Sequence, residues 1–264
     1  MMSPFDFVTG IFQSSEDCIN NTMKTVFGED GSIRCEANGN VVTMGNGNFF
    51  NFISQSSGTT VVSSSNQLKT KVDSDARSFK KVSVSGPFNV VYTADNHYGV
   101  DVDFDGSPSI LDHITIYVKN DTLFIQPIGS FSYTGSITVN IKAPFIIGVE
   151  VNGSGTFRAK SNVSSSSHDV SLKVKGSGDI ILHKLYAKNL LAEVNGSGDI
   201  SAKYAEVKKE TILKIAGSGD IEINTLYSTT VSGNVAGSGD IVVHDTHAES
   251  MQHQVSGSGD IEFC

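Results

Sequence analysis

Residues 174–221 read VKGSGDIILHKLYAKNLLAEVNGSGDISAKYAEVKKETILKIAGSGDI and contain three copies of the pentapeptide GSGDI. The tripeptide Gly-Ser-Gly occurs six times in the C-terminal half of the chain, at intervals of 23, 20, 21, 20 and 20 residues. A nearly fixed period of this kind indicates a repeat architecture, in which each repeat forms one structural unit. The six copies begin at Gly153, Gly176, Gly196, Gly217, Gly237 and Gly257.

Apolar residues alternate with polar ones on both sides of each copy. A β-branched residue stands two positions before the first glycine, and a large apolar residue stands four positions after it. The residues before are Val151, Val174, Val194, Ile215, Val235 and Val255, and those after are Phe157, Ile180, Ile200, Ile221, Ile241 and Ile261. Period-two alternation around a glycine turn is typical of half-buried strands.

The length of the period selects the fold class. It leaves no room for a helical repeat, and it is half of the roughly 40 residues that a β-propeller blade needs. Twenty residues at about 3.3 Å each give a loop of about 66 Å, which is enough for one coil of a solenoid. We therefore predict an all-β chain that forms a single-stranded parallel β-helix, with glycines that permit positive φ and close approach of coils. A phosphate-binding role for Gly-Ser-Gly would require a helix after the turn, and none is predicted.

Composition and charge exclude several classes of protein. The 264 residues include 26 glycines and carry a formal net charge of −9. Nucleic-acid binding depends on Lys and Arg that neutralise phosphates, so we expect no nucleic-acid partner. No apolar run approaches the roughly 18 residues that a membrane-spanning helix needs. The ordered pattern of valine, isoleucine and leucine excludes general disorder.

Upstream of the repeats, residues 79–127 read FKKVSVSGPFNVVYTADNHYGVDVDFDGSPSILDHITIYVKNDTLFIQP. With the GSGDI coils that follow, this segment resembles the putative auto-transporter adhesin, head GIN domain family, over residues 79–264. The resemblance implies a right-handed β-helix on a bacterial cell-surface or secreted protein, and it implies no established activity. Residues 1–10 lack the basic segment and apolar core of a signal peptide. That departure, with the abrupt end at GSGDIEFC, would also fit a viral protein.

Residues 1–78 form a separate segment in this prediction. Ser14 or Ser15 could cap a short helix that ends at Gly28. Its apolar stripe would contain Ile19, Met23, Val26 and Phe27. Short strands are expected between Ile33 and Ile53, followed by a Ser-rich linker. We expect this segment to cap the solenoid, to attach it to a larger assembly or to mediate homo-oligomerisation, because its phenylalanine cluster is more apolar than a free tail.

The fourth residue of five repeats is an aspartate, and stacked coils would align these side chains. Neighbouring carboxylates about 5 Å apart would repel each other by about 1 kcal/mol in water. We expect each aspartate to cap its turn by accepting backbone N–H groups. Binding of a cation such as Ca²⁺ is the alternative, although calcium prefers six to eight oxygens. This aspartate ladder comprises Asp179, Asp199, Asp220, Asp240 and Asp260.

Sequence features of catalysis are sparse. Lyase chemistry on a β-helix would need a base near clustered acids, but the arginines Arg34, Arg77 and Arg158 lie far apart in sequence. Glycoside hydrolysis needs two carboxylates in unequal environments, whereas the ladder positions are equivalent. His244 and His247 are expected to be solvated rather than to bind a metal. We therefore predict no catalytic residue and no cofactor.

The three cysteines, Cys18, Cys35 and Cys264, are too few for a disulfide framework. We expect buried or incidental thiols, with a Cys18–Cys35 bridge or an intermolecular bond through Cys264 as alternatives.

Three functions remain open at this point. The favoured one is a non-enzymatic, adhesin-like surface protein that presents structure or binds a glycan or protein ligand through exposed side-chain ladders. The second is a structural component of a viral or phage particle. The third is a polysaccharide-active enzyme, because parallel β-helices also house such enzymes.

Overall fold

The computed structural model describes the backbone of four N-terminal strands and, beyond them, residues 78–104, 113–129 and 135–264. The chain divides into two compact units, Met1–Thr59 and Thr60–Cys264. Each unit is described by itself below. The predicted division between residues 78 and 79 stays a prediction.

The first unit contains an antiparallel sheet in the order β1-β2-β3-β4. Its strands are β1 Lys24–Phe27, β2 Ile33–Ala37, β3 Asn40–Met44 and β4 Phe50–Ser54. The strands expected between Ile33 and Ile53 are therefore present. Ala37 at the end of β2 pairs with Asn40 at the start of β3 in antiparallel register.

The predicted N-terminal helix is wrong where the structure describes it. Val26 and Phe27 lie in β1, where they pair with Arg34 and Ile33 of β2. Thr25 and Val26 are β-branched, which favours a strand once a neighbouring strand supplies hydrogen-bond partners. The rest of the expected helix, including Ser14, Ser15, Ile19, Met23 and the closing Gly28, lies outside the described residues.

The second unit consists of strands that coil around one axis. The first of them are β5 Lys81–Ser85, β6 Asn89–Ala94, β7 Gly99–Phe104, β8 Ile114–Lys119, β9 Thr122–Pro127, β10 Ile137–Ala143, β11 Gly148–Gly153, β12 Thr156–Ala159 and β13 Val163–Ser165. The remaining ones are β14 Val170–Gly176, β15 Asp179–Ala187, β16 Leu190–Gly196, β17 Ile200–Val207, β18 Glu210–Gly217, β19 Ile221–Gly237, β20 Ile241–Gly257 and β21 Ile261–Phe263. The long strands β19 and β20 continue through corners of the coil.

Each coil has three faces, which follow from the parallel pairings. The first face stacks β9, β5, β11, β14, β16, β18 and the C-terminal parts of β19 and β20. The second face stacks β10, β6 and β12 with the N-terminal parts of β15, β17, β19 and β20, and then β21. The third face stacks β13 with residues 185–187, 204–207, 225–228 and 245–248. About five turns form the solenoid.

The register explains how the unequal repeat lengths fit together. Gly196 lies beside Gly176 and Gly217, so the turns stack although the two intervals are 20 and 21 residues. Ala187 pairs with Val207, an offset of 20, whereas Leu190 pairs with Thr211, an offset of 21. The extra residue is therefore absorbed at the corner formed by residues 208–210, and both adjoining faces keep their alignment.

The core runs along the axis as columns of inward-facing side chains. Val151, Val174, Val194, Ile215 and Val235 form one such column, and each is at most 2% exposed. A single coil cannot bury its inner side chains, so each coil depends on its neighbours for stability. The prediction of an all-β, single-stranded parallel β-helix is confirmed.

The two ends of the solenoid differ from its middle. At one end, β7 pairs antiparallel with β10 and β8 pairs antiparallel with β9, which the repeat pattern does not predict. At the other end, Met251 and Val255 occupy inward positions but remain 49% and 38% exposed. The Phe263 ring lies against the position of Gly233 and makes an edge contact with His253.

Candidate functional site

The third face carries the most aromatic surface of the repeating coils. Its inward residues Leu185, Ala205 and Leu226 are fully buried and hold the strands in place. Because side chains alternate along a strand, the intervening residues point outward. The outward positions hold Lys184, Tyr186, Tyr204, Glu206, Thr225, Tyr227, Asp245 and His247.

Four of these side chains form a continuous aromatic row, which comprises Tyr186, Tyr204, Tyr227 and His247. The ring centroids of Tyr186 and Tyr204 lie 6.0 Å apart, and those of Tyr204 and Tyr227 lie 5.9 Å apart. Tyr227 and His247 stack at 4.2 Å with an angle of 8° between their planes. Tyr227 is 41% exposed although its ring contacts two neighbours. The row therefore presents ring edges and hydroxyl groups to solvent along the solenoid axis.

Polar neighbours fix the central tyrosine of this row. The Tyr204 hydroxyl donates a hydrogen bond to Glu206 Oε2 at 3.2 Å, and Lys184 Nζ lies 5.8 Å from the centre of the Tyr204 ring. Partial burial and the hydrogen bond to Glu206 raise the pKa of Tyr204. The phenol therefore stays protonated and remains a hydrogen-bond donor at neutral pH.

Lysines lie beside the aromatic row, on the third face and at its corners. We call them the lysine margins, and they comprise Lys160, Lys184 and Lys203 on one side and Lys188, Lys208 and Lys209 on the other. Lys203 lies one coil away from His183, because Leu182 pairs with Ala202 and Lys184 with Tyr204. The Lys209 N–H donates to the Lys188 carbonyl at 3.0 Å, so these two residues belong to adjacent coils. The margins therefore contain lysines from neighbouring coils, with Lys203 at the register position of His183 and Lys184 at that of Tyr204.

The charge of the solenoid changes along its axis. Residues 158–214 contain ten Lys and Arg and six Asp and Glu, whereas residues 215–264 contain seven Asp and Glu and no Lys or Arg. On the third face, the register position of Lys184 is occupied by Tyr204 in the next coil, and then by Thr225 and Asp245 in the following two coils. The basic part of the face is therefore confined to the middle coils.

The aspartate ladder lies at the corner between the first and second faces, away from the aromatic row. Asp179 Oδ1 accepts a hydrogen bond from the Asp199 N–H at 3.2 Å, and Asp199 Oδ1 accepts one from the Asp220 N–H at 2.9 Å. Asp220 Oδ1 accepts a hydrogen bond from the Asp240 N–H, and Asp240 Oδ1 accepts one from the Asp260 N–H, both at 2.8 Å. Asp260 Oδ1 accepts a hydrogen bond from the N–H of the following residue, Ile261. Each carboxylate thus links one turn to the next strand or coil.

Metal binding by this ladder stays a prediction. Within the described part of the chain, no three His, Cys, Asp or Glu side chains come together in a way that could hold a metal ion. Successive aspartates instead share a row in which each carboxylate accepts a backbone N–H. This is the arrangement of a turn cap repeated from coil to coil.

A second pair of acids lies near the other end of the solenoid, on β7. Asp103 Oδ2 accepts a hydrogen bond from Asn140 Nδ2 at 2.7 Å, whereas Asp101 Oδ1 is buried without a hydrogen-bond partner among the described residues. Burial, reinforced by the nearby charge of Asp103, raises the pKa of Asp101. The repeat pattern gives no signal for this pair, because β7 lies outside the repeats.

The remaining residues singled out in the sequence are dispersed. His244 Nε2 lies 2.9 Å from Glu222 Oε1, and His247 Nε2 lies 3.2 Å from Asp245 Oδ1, all at exposed positions. Arg158 lies in β12, and Arg34 lies in β2 of the other unit. Arg77 lies outside the described residues. Among the described residues of the solenoid, Arg158 forms no ion pair within 4.0 Å with an aspartate of the ladder.

The structure describes one free thiol, that of Cys264. Cys264 is exposed and free, which agrees with the incidental thiol of the prediction and not with a buried one. Its thiol donates to Glu262 Oε1 at 3.2 Å, and this hydrogen bond raises the pKa of Cys264. A raised pKa lowers the thiolate fraction and with it the reactivity of the thiol. Cys35 lies in β2, and Cys18 lies outside the described residues.

Sequence reasoning missed the aromatic row and the lysine margins. Tyr186, Tyr204 and Tyr227 are separated by 18 and 23 residues, which differ from the 20- to 21-residue repeat. Tyr204 occupies the register position of Lys184, and its ring leans toward the column that contains Tyr186 and Tyr227. A search for tyrosines at near-repeat spacing could have suggested the row.

Comparison with known proteins gives a family and a fold. The profile of the family described as "Putative auto-transporter adhesin, head GIN domain" matches residues 78–264. No curated protein matches the chain. None of the described residues forms a helix long and apolar enough to cross a bilayer.

Two solved structures are similar in fold. A putative adhesin from Parabacteroides distasonis superposes with a TM-score of 0.63 at 20% identity, over 70% of this chain and 76% of the other. A putative adhesin from Bacteroides fragilis superposes with a TM-score of 0.57 at 20% identity, over 70% of this chain and 91% of the other. At this identity, the similarity concerns the fold alone.

Proposed function

The chain belongs to the putative auto-transporter adhesin, head GIN domain family, and on that premise we propose that it is a non-enzymatic, adhesin-like β-solenoid that binds a glycan through its third face. The family description suggests a place at the cell surface or outside the cell. The solenoid serves as a rigid support, and the exposed side-chain ladders supply the contacts with the ligand.

The aromatic row is the observation that carries this proposal. Tyrosines supply a large contact area and a hydroxyl group while losing little conformational entropy on binding. Three of them are aligned with centroid spacings of 6.0 and 5.9 Å. The rings are already held by one another and by Glu206, so a ligand meets a surface that is largely ordered before binding.

The arrangement of acids supports a role without catalysis. Glycoside hydrolysis depends on two carboxylates whose environments separate their pKa values. The central members of the aspartate ladder, Asp199 and Asp220, each accept the backbone N–H of the next aspartate, so their environments are alike. The partly buried Asp101 lies on β7, in a different part of the solenoid from the aromatic row.

A glycan array probed with the purified chain tests the proposed function. We expect binding to a subset of glycans, and we expect the double variant Tyr204→Ala/Tyr227→Ala to lose most of the signal. The matched control is Tyr117→Ala, which removes an outward tyrosine that stacks on Phe124 at 5.0 Å in the β8–β9 hairpin. The control should bind as the unmodified chain does.

Two results would contradict the proposal. One is an array without any bound glycan, and the other is equal loss of signal in the aromatic-row variant and the Tyr117→Ala control. Thermal melts of all three proteins show whether a lost signal reflects unfolding instead of a lost contact.

A further inference from the structure

The lysine margins surround the same face as the aromatic row and bear on the chemistry of its ligand. Lys184 in β15 and Lys188, which follows the last residue of β15, stand four residues apart, so their Cα atoms lie at most about 13 Å from each other across the face. Neighbouring coils stack at about 4.8 Å, so the backbone of Lys209 lies about that far from the backbone of Lys188. The basic part of the face is therefore a strip with lysines at both of its edges. Tyr186 lies between Lys184 and Lys188 in sequence, and Tyr204 occupies the register position of Lys184 in the next coil.

Most of these lysines have no carboxylate partner. Among the residues that the structure describes, no ion pair within 4.0 Å involves Lys160, Lys188, Lys203, Lys208 or Lys209. Lysines on the first face behave differently, since Lys173 lies 3.1 Å from Glu193 and Lys175 lies 2.9 Å from Glu150. The margins thus hold ammonium groups that the fold leaves to solvent.

The local charge of the strip is positive although the chain is acidic. The strip contains six lysines but only three carboxylates. These are Glu206 on the face itself and Asp169 and Glu210 near its second corner. The acid-only coils begin after residue 214, and charges separated by more than about 10 Å are largely screened at 0.1 M salt. An anionic group at the middle coils therefore meets mainly the lysines and not the net charge of −9.

We propose that the third face binds an acidic polysaccharide, whose carboxylate or sulfate groups contact the lysine margins while its sugar rings lie over Tyr186 and Tyr204. This inference rests on the proposed glycan-binding function and specifies its ligand class. The face is an open sheet, so it cannot enclose a single sugar. A polymer with repeated charges can instead engage several coils at once, and many weak contacts then add to a useful avidity.

A polyuronate or sulfated glycan fits this face better than a nucleic acid does. Duplex DNA carries one charge per about 1.7 Å and binds proteins through dense Lys and Arg contacts. Here the lysines stop at Lys214, and a long, stiff polyanion would next meet the acidic coils that contain Asp245 and Glu249. A flexible chain with about one charge per sugar can confine itself to the middle coils.

The test measures binding of the full chain to three polymers on a biosensor surface. These are polygalacturonate, dextran sulfate and uncharged dextran, each at about 50 and 200 mM salt. We expect the two acidic polymers to bind and dextran to bind at least tenfold more weakly. The affinity for polygalacturonate should fall by about tenfold or more over this salt range, because the bound lysines release counterions.

Two lysine variants locate the binding surface. Lys188→Gln/Lys203→Gln/Lys208→Gln removes three charges from the margins and should weaken polygalacturonate binding by about tenfold. Lys80→Gln/Lys119→Gln/Lys142→Gln removes the same charge elsewhere and should change the affinity by less than about twofold, since these exposed or half-buried lysines make at most weak surface ion pairs. Lys184 is left unchanged because it packs over the Tyr204 ring.

The outcomes separate this inference from the proposed function. Equal, salt-independent binding of dextran would overturn the acidic ligand class while glycan binding stands. Equal binding of a single-stranded DNA oligonucleotide, or of phosphatidylserine vesicles, would also overturn it, because the face would then attract any polyanion. Failure of all three polymers, together with an empty glycan array, would overturn both proposals.

Discussion

At the scale of single residues, both glycines of each Gly-Ser-Gly turn are tightly constrained by the preceding coil. A Cβ added to Gly198 would collide with the carbonyl oxygen of Gly178 in the preceding coil, which is backbone and cannot rotate away. The first glycine has a separate requirement, because Gly196 adopts a φ of 142°. Only glycine meets both conditions without strain.

We therefore expect Gly198→Ala to destabilise the solenoid by about 3 kcal/mol or more, because the methyl group must push two coils apart. Chemical denaturation followed by circular dichroism measures the change. Ser197→Ala is the control, since Ser197 is the exposed middle residue of the same turn and its substitution should cost no more than about 0.5 kcal/mol. Similar stabilities of the two variants would contradict the close approach of the coils.

Asp101 offers a prediction on pH dependence. Its native pKa is raised above the ordinary 3.8, so the folded chain holds this proton to higher pH than the unfolded chain does. Stability is therefore lost as the pH rises through the raised pKa. Asp101→Asn should raise the free energy of unfolding at pH 7 by about 0.5 kcal/mol, a small value because the side chain is partly exposed.

The difference in free energy of unfolding between Asp101→Asn and the unmodified chain should vanish below about pH 3. At that pH, the Asp101 carboxyl is neutral in both the folded and the unfolded chain. Urea denaturation at pH 7 and pH 3 measures both values. Asp121→Asn is a suitable control, since Asp121 is exposed and makes only a 4.0 Å ion pair with Lys80. A lower stability of Asp101→Asn at pH 7 would contradict a pKa of Asp101 that burial raises.

At the scale of elements, outward ladders connect the strands of adjacent coils. On the first face, Glu150, Lys173, Glu193 and Lys214 alternate in sign along one column. The Asn195 amide and the Lys173 ammonium hold the pKa of Glu193 below its usual value. Alternation avoids the like-charge contacts that a uniform column would create.

The aspartate ladder lacks such alternation, and its substitution tests the turn-capping role. Asp220→Ala removes the acceptor of the Asp240 N–H bond, which measures 2.8 Å, and should cost about 1 kcal/mol. Asp220→Asn keeps an acceptor and relieves repulsion with Asp199 and Asp240, so we expect it to be at least as stable as the unmodified chain. Thermal melts compare the three proteins.

The same melts with and without calcium test the cation alternative. We expect an unchanged midpoint, because the ladder offers one aspartate per coil whereas calcium prefers six to eight oxygens. A midpoint that rises with calcium, and that no longer rises in Asp220→Asn, would establish cation binding and contradict a purely structural ladder.

At the scale of the whole molecule, the solenoid should tolerate the loss of one complete coil. Deletion of residues 177–196 joins Gly176 to Ser197, so β14 meets β18 in the register that β16 had. Because each coil contacts only its neighbours, stability is approximately a sum over coils. We expect a folded protein with a cooperative melt at a lower temperature.

Deletion of residues 177–186 is the matched control for that experiment. It removes half a coil, so the glycine corners would stack on strands and the inward columns would be interrupted. We expect this variant to be insoluble or unfolded in circular dichroism. A folded half-coil deletion would contradict the requirement for register between corners.

The coils of the solenoid could be predicted from the sequence because the same pattern of residues occurs in several repeats. The 20-residue interval, the β-branched residue before each turn and the isoleucine after it each appear several times, so chance patterns are averaged out. The antiparallel pairs β7–β10 and β8–β9 occur once each and have no repeat to reveal them. The segment Lys24–Phe27 was predicted as part of a helix from the spacing of its apolar residues, whereas its β-branched residues form a strand that pairs with β2.

The sequence by itself therefore determined the coil, its glycine corners and its inward columns, since all three depend on spacing along the chain. Only the tertiary structure decided which outward side chains meet. Tyr204 joins the row of Tyr186 and Tyr227 by leaning across columns, and the corner of Lys208 and Lys209 absorbs one residue to bring Lys209 beside Lys188. These contacts depend on distances through space between coils, which a repeat period does not specify.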